Sequence, residues 1–359
     1  MYLGYSLTPF GHHPSAWRQS RGVEKLGFDA LLSQVLGAED SGFDFVLLSD
    51  RLGIRPLDDL SPVATPFEPT TLVAALATKA RRIGFLVAAT TRQHEPYNLA
   101  RRLASLDTIS GGRTGWLAIG GADDSERDEE YLGLVSALWD SWEDDAFIYD
   151  KVRGRFFSPE KMHVLNHKGK NFSVRGPLNV NRSPQGKPVV AEILGEENAV
   201  LNALTVEVAL LHADTLKGAN DIAHRFVRTA DAVGRKRENI RILTNVMPVI
   251  AENSNDAIRM NEALQRSDED RLHLPLLAAR LIGTPVEVAD AMEQWLKDSP
   301  LDGFTILPPT LEIAECFLST VVPELHRRGL IKSKSSSTFR EQLGLARPVH
   351  PAANLERAS

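Results

Sequence analysis

Residues 82–121 constrain the fold more than any other part of the chain. They begin with an apolar run, Arg82 to Thr91, that ends in two hydroxyls. Glu95-Pro96-Tyr97-Asn98 follows, and Pro96 suits a first helical turn, where its missing N–H costs nothing. Leu99, Leu103 and Leu106 fall at i, i+4 and i+7 and make one apolar helix face. Gly111-Gly112 supplies a helix stop, and Trp116-Leu117-Ala118-Ile119 is a second short apolar run. Two apolar strands joined by a helix form a βαβ unit. A crossover of that length joins parallel strands, so a parallel sheet is predicted.

The same alternation runs through the rest of the chain. Strands are predicted at 2–7, 43–50, 187–191, 208–213, 239–250 and 302–309. Helical patterns lie at 28–42, 70–81, from about 198, and at 219–233, 254–265, 284 onward and 312–328. With the two strands of the opening unit this makes about eight strands, which predicts a (β/α)8 TIM barrel. An open doubly wound sheet is the runner-up, but no GxGxxG follows the first strand. Three excursions break the rhythm. Residues 51–68 hold Pro56, Pro62 and Pro66; 146–187 are polar, with a hairpin turn at His167-Lys168-Gly169; and 266–282 follow no clear period. One barrel domain over 1–330 and a C-terminal tail over 331–359 are expected.

Charge and cysteine content narrow the function. The 359 residues carry a net charge of −6, which argues against nucleic acid or an anionic membrane as the main partner. Cys316 is the single cysteine, so a reducing, cytoplasmic setting is expected. No basic-then-apolar leader and no run of membrane-spanning length occurs. GxxxxGK[ST], HExxH and GxSxG are absent as well, which removes several enzyme classes.

In a parallel barrel the site forms at the C-terminal ends of the strands. The first such loop carries His12, His13, Trp17 and Arg18. The second strand ends at Ser49-Asp50, where the carboxylate is either a cap or a ligand contact, and the third at Thr90-Thr91. Adjacent histidines lack the ligand spacing of a zinc site, and no metal is expected.

Several segments resemble the flavin-dependent monooxygenases of the bacterial luciferase superfamily, in the subgroup of nitrilotriacetate monooxygenase, dibenzothiophene-sulfone monooxygenase and pristinamycin synthase. The matching pieces are Gly11-His12-His13 to Arg18, Glu95 to Arg102 running into Ser110-Gly111-Gly112-Arg113, and Leu138 to Ala146. Further ones are Phe172 to Leu178, Ser183-Pro184-Gln185-Gly186, Gly283-Thr284-Pro285, Asp302-Gly303-Phe304, Val322 to Leu325 and Leu343-Gly344-Leu345. The resemblance implies reduced FMN delivered by a separate flavin reductase. Oxygen from O2 would then enter a small organic substrate by way of a flavin peroxide. It also implies a homodimer or homotetramer. His13 or its neighbour His12 would be the catalytic acid/base. Asp50, Thr90 or Thr91, Tyr131, and Leu194-Gly195 match the family's flavin-contacting positions.

The departures from the pattern cluster at the flavin site. Leu117-Ala118-Ile119-Gly120-Gly121 stands where the family has polar residues after the fourth strand's tryptophan. Only Arg127 and Tyr131 keep the spacing of a flavin-contacting His–Tyr pair. Glu192-Ile193-Leu194-Gly195-Glu196-Glu197 replaces a serine-rich phosphate loop, and carboxylates at a helix N-terminus repel a phosphate. An altered flavin-phosphate site is therefore expected. The alternatives are a non-catalytic or scaffolding paralogue, or an enzyme using another cofactor.

Overall fold

The computed structural model describes residues 1–13, 15–19, 27–49, 67–120, 124–195, 203–268, 278–331 and 337–356. Eight parallel strands close into a barrel: β1 (Tyr2–Ser6), β2 (Phe45–Leu48), β3 (Gly84–Thr90), β4 (Thr114–Ile119), β5 (Val189–Leu194), β6 (Val208–Leu211), β7 (Arg241–Ile250) and β8 (Gly303–Ile306). Each pairs with its successor, and β8 pairs with β1 through Tyr2↔Gly303 to Tyr5↔Ile306.

Period-two alternation sorts the strand residues into two layers. One cluster holds Phe45, Leu47, Leu86, Leu117, Ala191, Val208, Leu210 and Leu243, which fill the barrel interior. The intervening residues, such as Tyr5, Val46, Phe85, Trp116 and Phe304, face outward into the larger cluster shared with the helices. Both faces are buried, which is why these strands read as unbroken apolar runs.

The helices start and stop on the expected chemistry. Pro96–Ser110 ends on left-handed Gly111, whose φ is 70°. Pro285–Asp298 begins in a capping box between Thr284 and Glu287. Pro69–Leu76 starts directly after the stretch read as an excursion, where Glu68 accepts from the Thr70 and Thr71 N–H groups and caps it. Residues 51–66 of that excursion, and Asp50 before it, lie outside the described residues.

Two regions differ from the sequence reading. Residues 266–282 are not wholly an excursion: Ser254–Asp268 continues as helix, and Ala279–Gly283 forms a strand against Val246–Ile250. β7 is long enough at ten residues to pair within the barrel first and with this extra strand beyond it. The excursion at 146–187 carries two hairpins, Phe147–Asp150 with Arg155–Phe157 and His167–Lys168 with Ser173–Val174, of which the sequence disclosed the second.

The tail is a plug. Phe339, Leu343 and Leu345 belong to the interior cluster and close the barrel where the strands begin. A Cβ on Gly84 would lie 2.5 Å from the Phe339 ring, and one on Gly115 would lie 2.9 Å from it. Only glycine lets the aromatic ring sit that close to two strand starts. Arg340 fixes the plug through Glu207 and its own N–H to Gln185 Oε1, 3.0 Å away. The Arg241 guanidinium donates to the carbonyls of Leu343 and Gly344.

Candidate active site

At the opposite end the strand termini form a mouth. The inward positions there include Ser6, Thr90, Ile193, His212, Asn245 and Thr305, from the alternation that puts Leu210 and Leu243 inside and Phe304 and Ile306 outside. Among the described residues, no charged side chain stands at an inward strand position in this half of the barrel.

His212 continues β6, its N–H donating to the Leu194 carbonyl at 2.9 Å. Burial pushes its imidazole down to about 4, so the ring is neutral near pH 7. Asn245 and Thr305 are partners in the β7–β8 register. They are 2% and 0% exposed, and Asn245 Oδ1 and Thr305 Oγ1 have no hydrogen-bond partner among the described residues.

The loop after β1 crosses to the exit of β8. His12 N–H donates to Pro308 O at 2.8 Å and His13 N–H to Pro309 O at 3.0 Å. Gly11 makes the crossing possible: at φ 118°, a Cβ there would lie 2.3 Å from Pro309 O. His12 Nε2 lies 3.2 Å from Ser6 O, at the top of β1. His13 is buried, and both ring nitrogens are engaged. Nδ1 accepts from the Ser15 N–H, which puts the proton on Nε2, 3.0 Å from Leu264 O. His13 thus ties the first loop to the helix Ser254–Asp268.

The remaining sequence-derived residues divide by strand parity. Thr90 faces the mouth, its Oγ1 accepting from the Arg92 N–H at 3.2 Å. Thr91 points the other way, and its hydroxyl donates to Asp128 in the helix Ser125–Leu138. Tyr131 lies in the outer layer against Trp116 and Phe172, with its phenol donating to His94 O at 2.9 Å. Burial raises that phenol and keeps it protonated. Arg127 covers the Phe172 ring at 4.9 Å and donates to Thr91 O. The Leu194 side chain is likewise in the outer layer, while its carbonyl and that of Gly195 end β5 at the mouth. Asp50, Glu196 and Glu197 lie outside the described residues.

Sequence reasoning missed His212, Asn245 and Thr305. Asn245 and Thr305 sit inside stretches correctly read as strands, and His212 directly follows β6. Applying a period of two to Val208-Leu210-His212 and to Leu243-Asn245 would have drawn them out.

One further group of potential ligands is present among the described residues. Side-chain atoms of Glu143, His163 and His350 lie within 4.8 Å of one another, away from the mouth. His163 Nε2 is 2.9 Å from Glu143 Oε1; His350 Nε2 donates to Asp140 O and its Nδ1 accepts from the Ala352 N–H. As hydrogen-bonded, the group fastens the tail to the excursion.

Known proteins place this architecture. The model of the luciferase-like monooxygenases matches residues 7–302. N-acetyl-S-(2-succino)cysteine monooxygenase of Bacillus subtilis (strain 168) is 32% identical, covering 97% of either chain. Nitrilotriacetate monooxygenase component A of Aminobacter aminovorans is also 32% identical, over 98% of each. The structure of EDTA monooxygenase from Chelativorans sp. BNC1 superposes with a TM-score of 0.83 at 28% identity, over 97% of this chain and 98% of that one. With the closed parallel barrel, these matches make the chain a member of the luciferase-like monooxygenase family.

Proposed function

We propose that the protein is the oxygenase component of a two-component system, taking FMNH2 from a separate flavin reductase and inserting oxygen from O2 into a small organic substrate. The observation that carries this reading is the set of neutral polar side chains at the inward strand ends, Thr90, His212, Asn245 and Thr305, in a chain of this family. Their neutral imidazole and two unpartnered oxygens suit a flat, uncharged ring with hydrogen-bonding edges, such as that of a flavin. Bound there, reduced FMN would supply the electrons that activate O2.

The chain's own residues orient the ligands and exclude water. Thr90 faces the ring site, and the Leu194 and Gly195 backbone ends beside it. Asp50 is the acid assigned to the same site from the sequence. His12 takes the proton-handling role, because its ring stands at the top of β1 and His13 is fully engaged in holding the loop. Replacing His12 with Asn should therefore lower turnover while leaving flavin affinity intact. Replacing His13 should chiefly lower stability. A His12→Asn variant with unchanged turnover contradicts the assignment.

A second reading concerns the phosphate. The alignment to the Bacillus subtilis relative runs over 429 positions, more than the 359 residues present, so this chain is the shorter one within the matched span. Glu196 and Glu197 follow β5 where the family holds phosphate. A like-charge pair at about 4 Å costs about 1 kcal/mol in water and about 4 kcal/mol at an effective dielectric near 20. FMN and riboflavin should then bind with similar affinity. A strong preference for FMN contradicts this reading.

The whole proposal is tested by titrating the purified protein with FMN and FMNH2. Oxygen uptake is then measured with a flavin reductase and, as first probes, N-acetyl-S-(2-succino)cysteine and nitrilotriacetate, the compounds that name the two 32% relatives. Binding of FMNH2 with substrate-dependent uptake supports it; no binding of either flavin form refutes it. Size-exclusion chromatography with light scattering tests the homodimer or homotetramer.

A further inference from the structure

We infer that Asn245 and Thr305 form a neutral hydrogen-bonding subsite in the floor of the mouth, kept for an amide- or imide-like edge of a bound ligand. The inference rests on the reading that the strand C-termini are the ligand site. Buried polar groups in folded proteins are nearly always hydrogen-bonded, and an unpaired one costs about 1–3 kcal/mol. Here two such oxygens occur side by side, on neighbouring strands and in register. Both point into the barrel. Phe304 and Ile306, which flank Thr305, lie in the outer cluster; Leu243, two residues before Asn245, lies in the inner one.

Other unpartnered buried atoms have a different setting. Thr244 Oγ1 belongs to the outward face of β7, and those of Asp107, Asp140, Arg182 and Arg340 sit within charged networks around the plug. Among the described residues, Asn245 and Thr305 carry such atoms as a pair at inward positions of adjacent strands, toward the end of the barrel opposite the plug.

The chemistry of the pair selects its ligand. An amide oxygen accepts, and a hydroxyl both donates and accepts. Together they match a ligand edge that offers an N–H next to a carbonyl. Neither residue is charged, and His212 on the neighbouring strand is neutral near pH 7, so none of these three balances a carboxylate or a phosphate. The imide of the flavin ring presents such an edge; the acetamide of a substrate such as N-acetyl-S-(2-succino)cysteine, being trans, offers the pair its N–H or its carbonyl alone.

The two roles that a buried polar residue can have differ in the sign of a stability change. A residue that holds the fold together loses stability when its polar atom is removed. An oxygen kept for a ligand is a cost in the free protein, so its removal stabilises the fold and weakens binding. Thr305→Val and Asn245→Leu are close in size to the residues they replace. Each should raise the melting temperature of the ligand-free protein, by about 2 °C or more. Each should also weaken by about tenfold the binding of FMN, if the ring is the source, or of N-acetyl-S-(2-succino)cysteine measured with FMN present, if the substrate is. Thr305→Ser, which keeps the hydroxyl, should retain the affinity.

A lowered melting temperature in both variants overturns the inference, whether or not the wild type binds FMN. So does a raised one with affinity for both probes unchanged. A wild-type protein that binds neither probe, while both variants melt higher, refutes the proposed function and leaves a neutral subsite for some other ligand.

Discussion

The two ends of the barrel are built on opposite principles. Where the strands begin, charged and amide side chains are joined in networks, although Asp107, Asp140, Arg182 and Arg340 each keep one atom without a hydrogen-bond partner. Arg340 bridges Glu207, Gln185 and the Lys187 carbonyl; Gln185 donates to Asp107 and to Thr114 O; Asp144 receives both Arg182 and Arg347. Phe339 fills the space that Gly84 and Gly115 leave open. Where the strands end, the inward strand positions among the described residues carry no charge, and two oxygens there have no partner. The difference teaches which end holds the fold and which end is kept for a ligand, a division that the barrel architecture favours.

Substitutions at the two ends should therefore differ in kind as well as size. The largest effect is expected from Phe339→Ala. Truncating a fully buried aromatic costs about 3–5 kcal/mol, read as a lower urea midpoint with the slope unchanged. A loss below about 1 kcal/mol would mean that the tail is not a plug. Arg340→Ala comes next, because it leaves the Glu207 carboxylate and the Lys187 carbonyl without the guanidinium that donates to them. A loss of about 2–4 kcal/mol is expected in the same measurement.

Asp107 supplies a smaller effect with a pH signature. Burial raises its carboxyl to about 6, against the hydrogen bonds from the Thr114 N–H and Gln185 that pull it down. The folded state therefore holds its proton more tightly than the unfolded one. Its contribution is fully present below about pH 4 and is lost as pH rises through about 6. Asp107→Asn should then stabilise the protein by about 2 kcal/mol at pH 7 and by nothing near pH 4. A destabilisation at both pH values would contradict the assigned burial cost.

The smallest effect belongs to the mouth. Burial lowers His212, so the unfolded state binds its proton more tightly, and stability is gained as pH rises from about 4 to 6.5. His212→Gln should leave stability at pH 7 within about 0.5 kcal/mol of the wild type and flatten the profile below pH 6. A large loss at pH 7 would make His212 part of the scaffold and erase the contrast between the ends.

The scaffold end and the mouth were unequally readable from the sequence. Strand and helix periods, the Pro96 start, the Gly111 stop and the Thr284–Glu287 capping box are local signals, and they were enough for the barrel. The plug was not visible, because Phe339-Arg340 gains its meaning only from contacts with Gly84, Gly115 and Glu207, far away in sequence. At the mouth, family correspondence supplied Thr91 and Tyr131, but a one-residue shift in a strand reverses a side chain. Thr91 and Tyr131 accordingly hold the outer layer together, whereas Thr90 faces in. His212, Asn245 and Thr305 were hidden by the apolar runs around them.

Hydrogen exchange with and without FMNH2 under anaerobic conditions tests the division between the ends most directly. The account predicts added protection at the ends of β3, β5, β6 and β7, around Thr90, Gly195, His212 and Asn245, with none at 338–345. Protection concentrated at 338–345 and the strand starts, or no protection anywhere at saturating FMNH2, would contradict it.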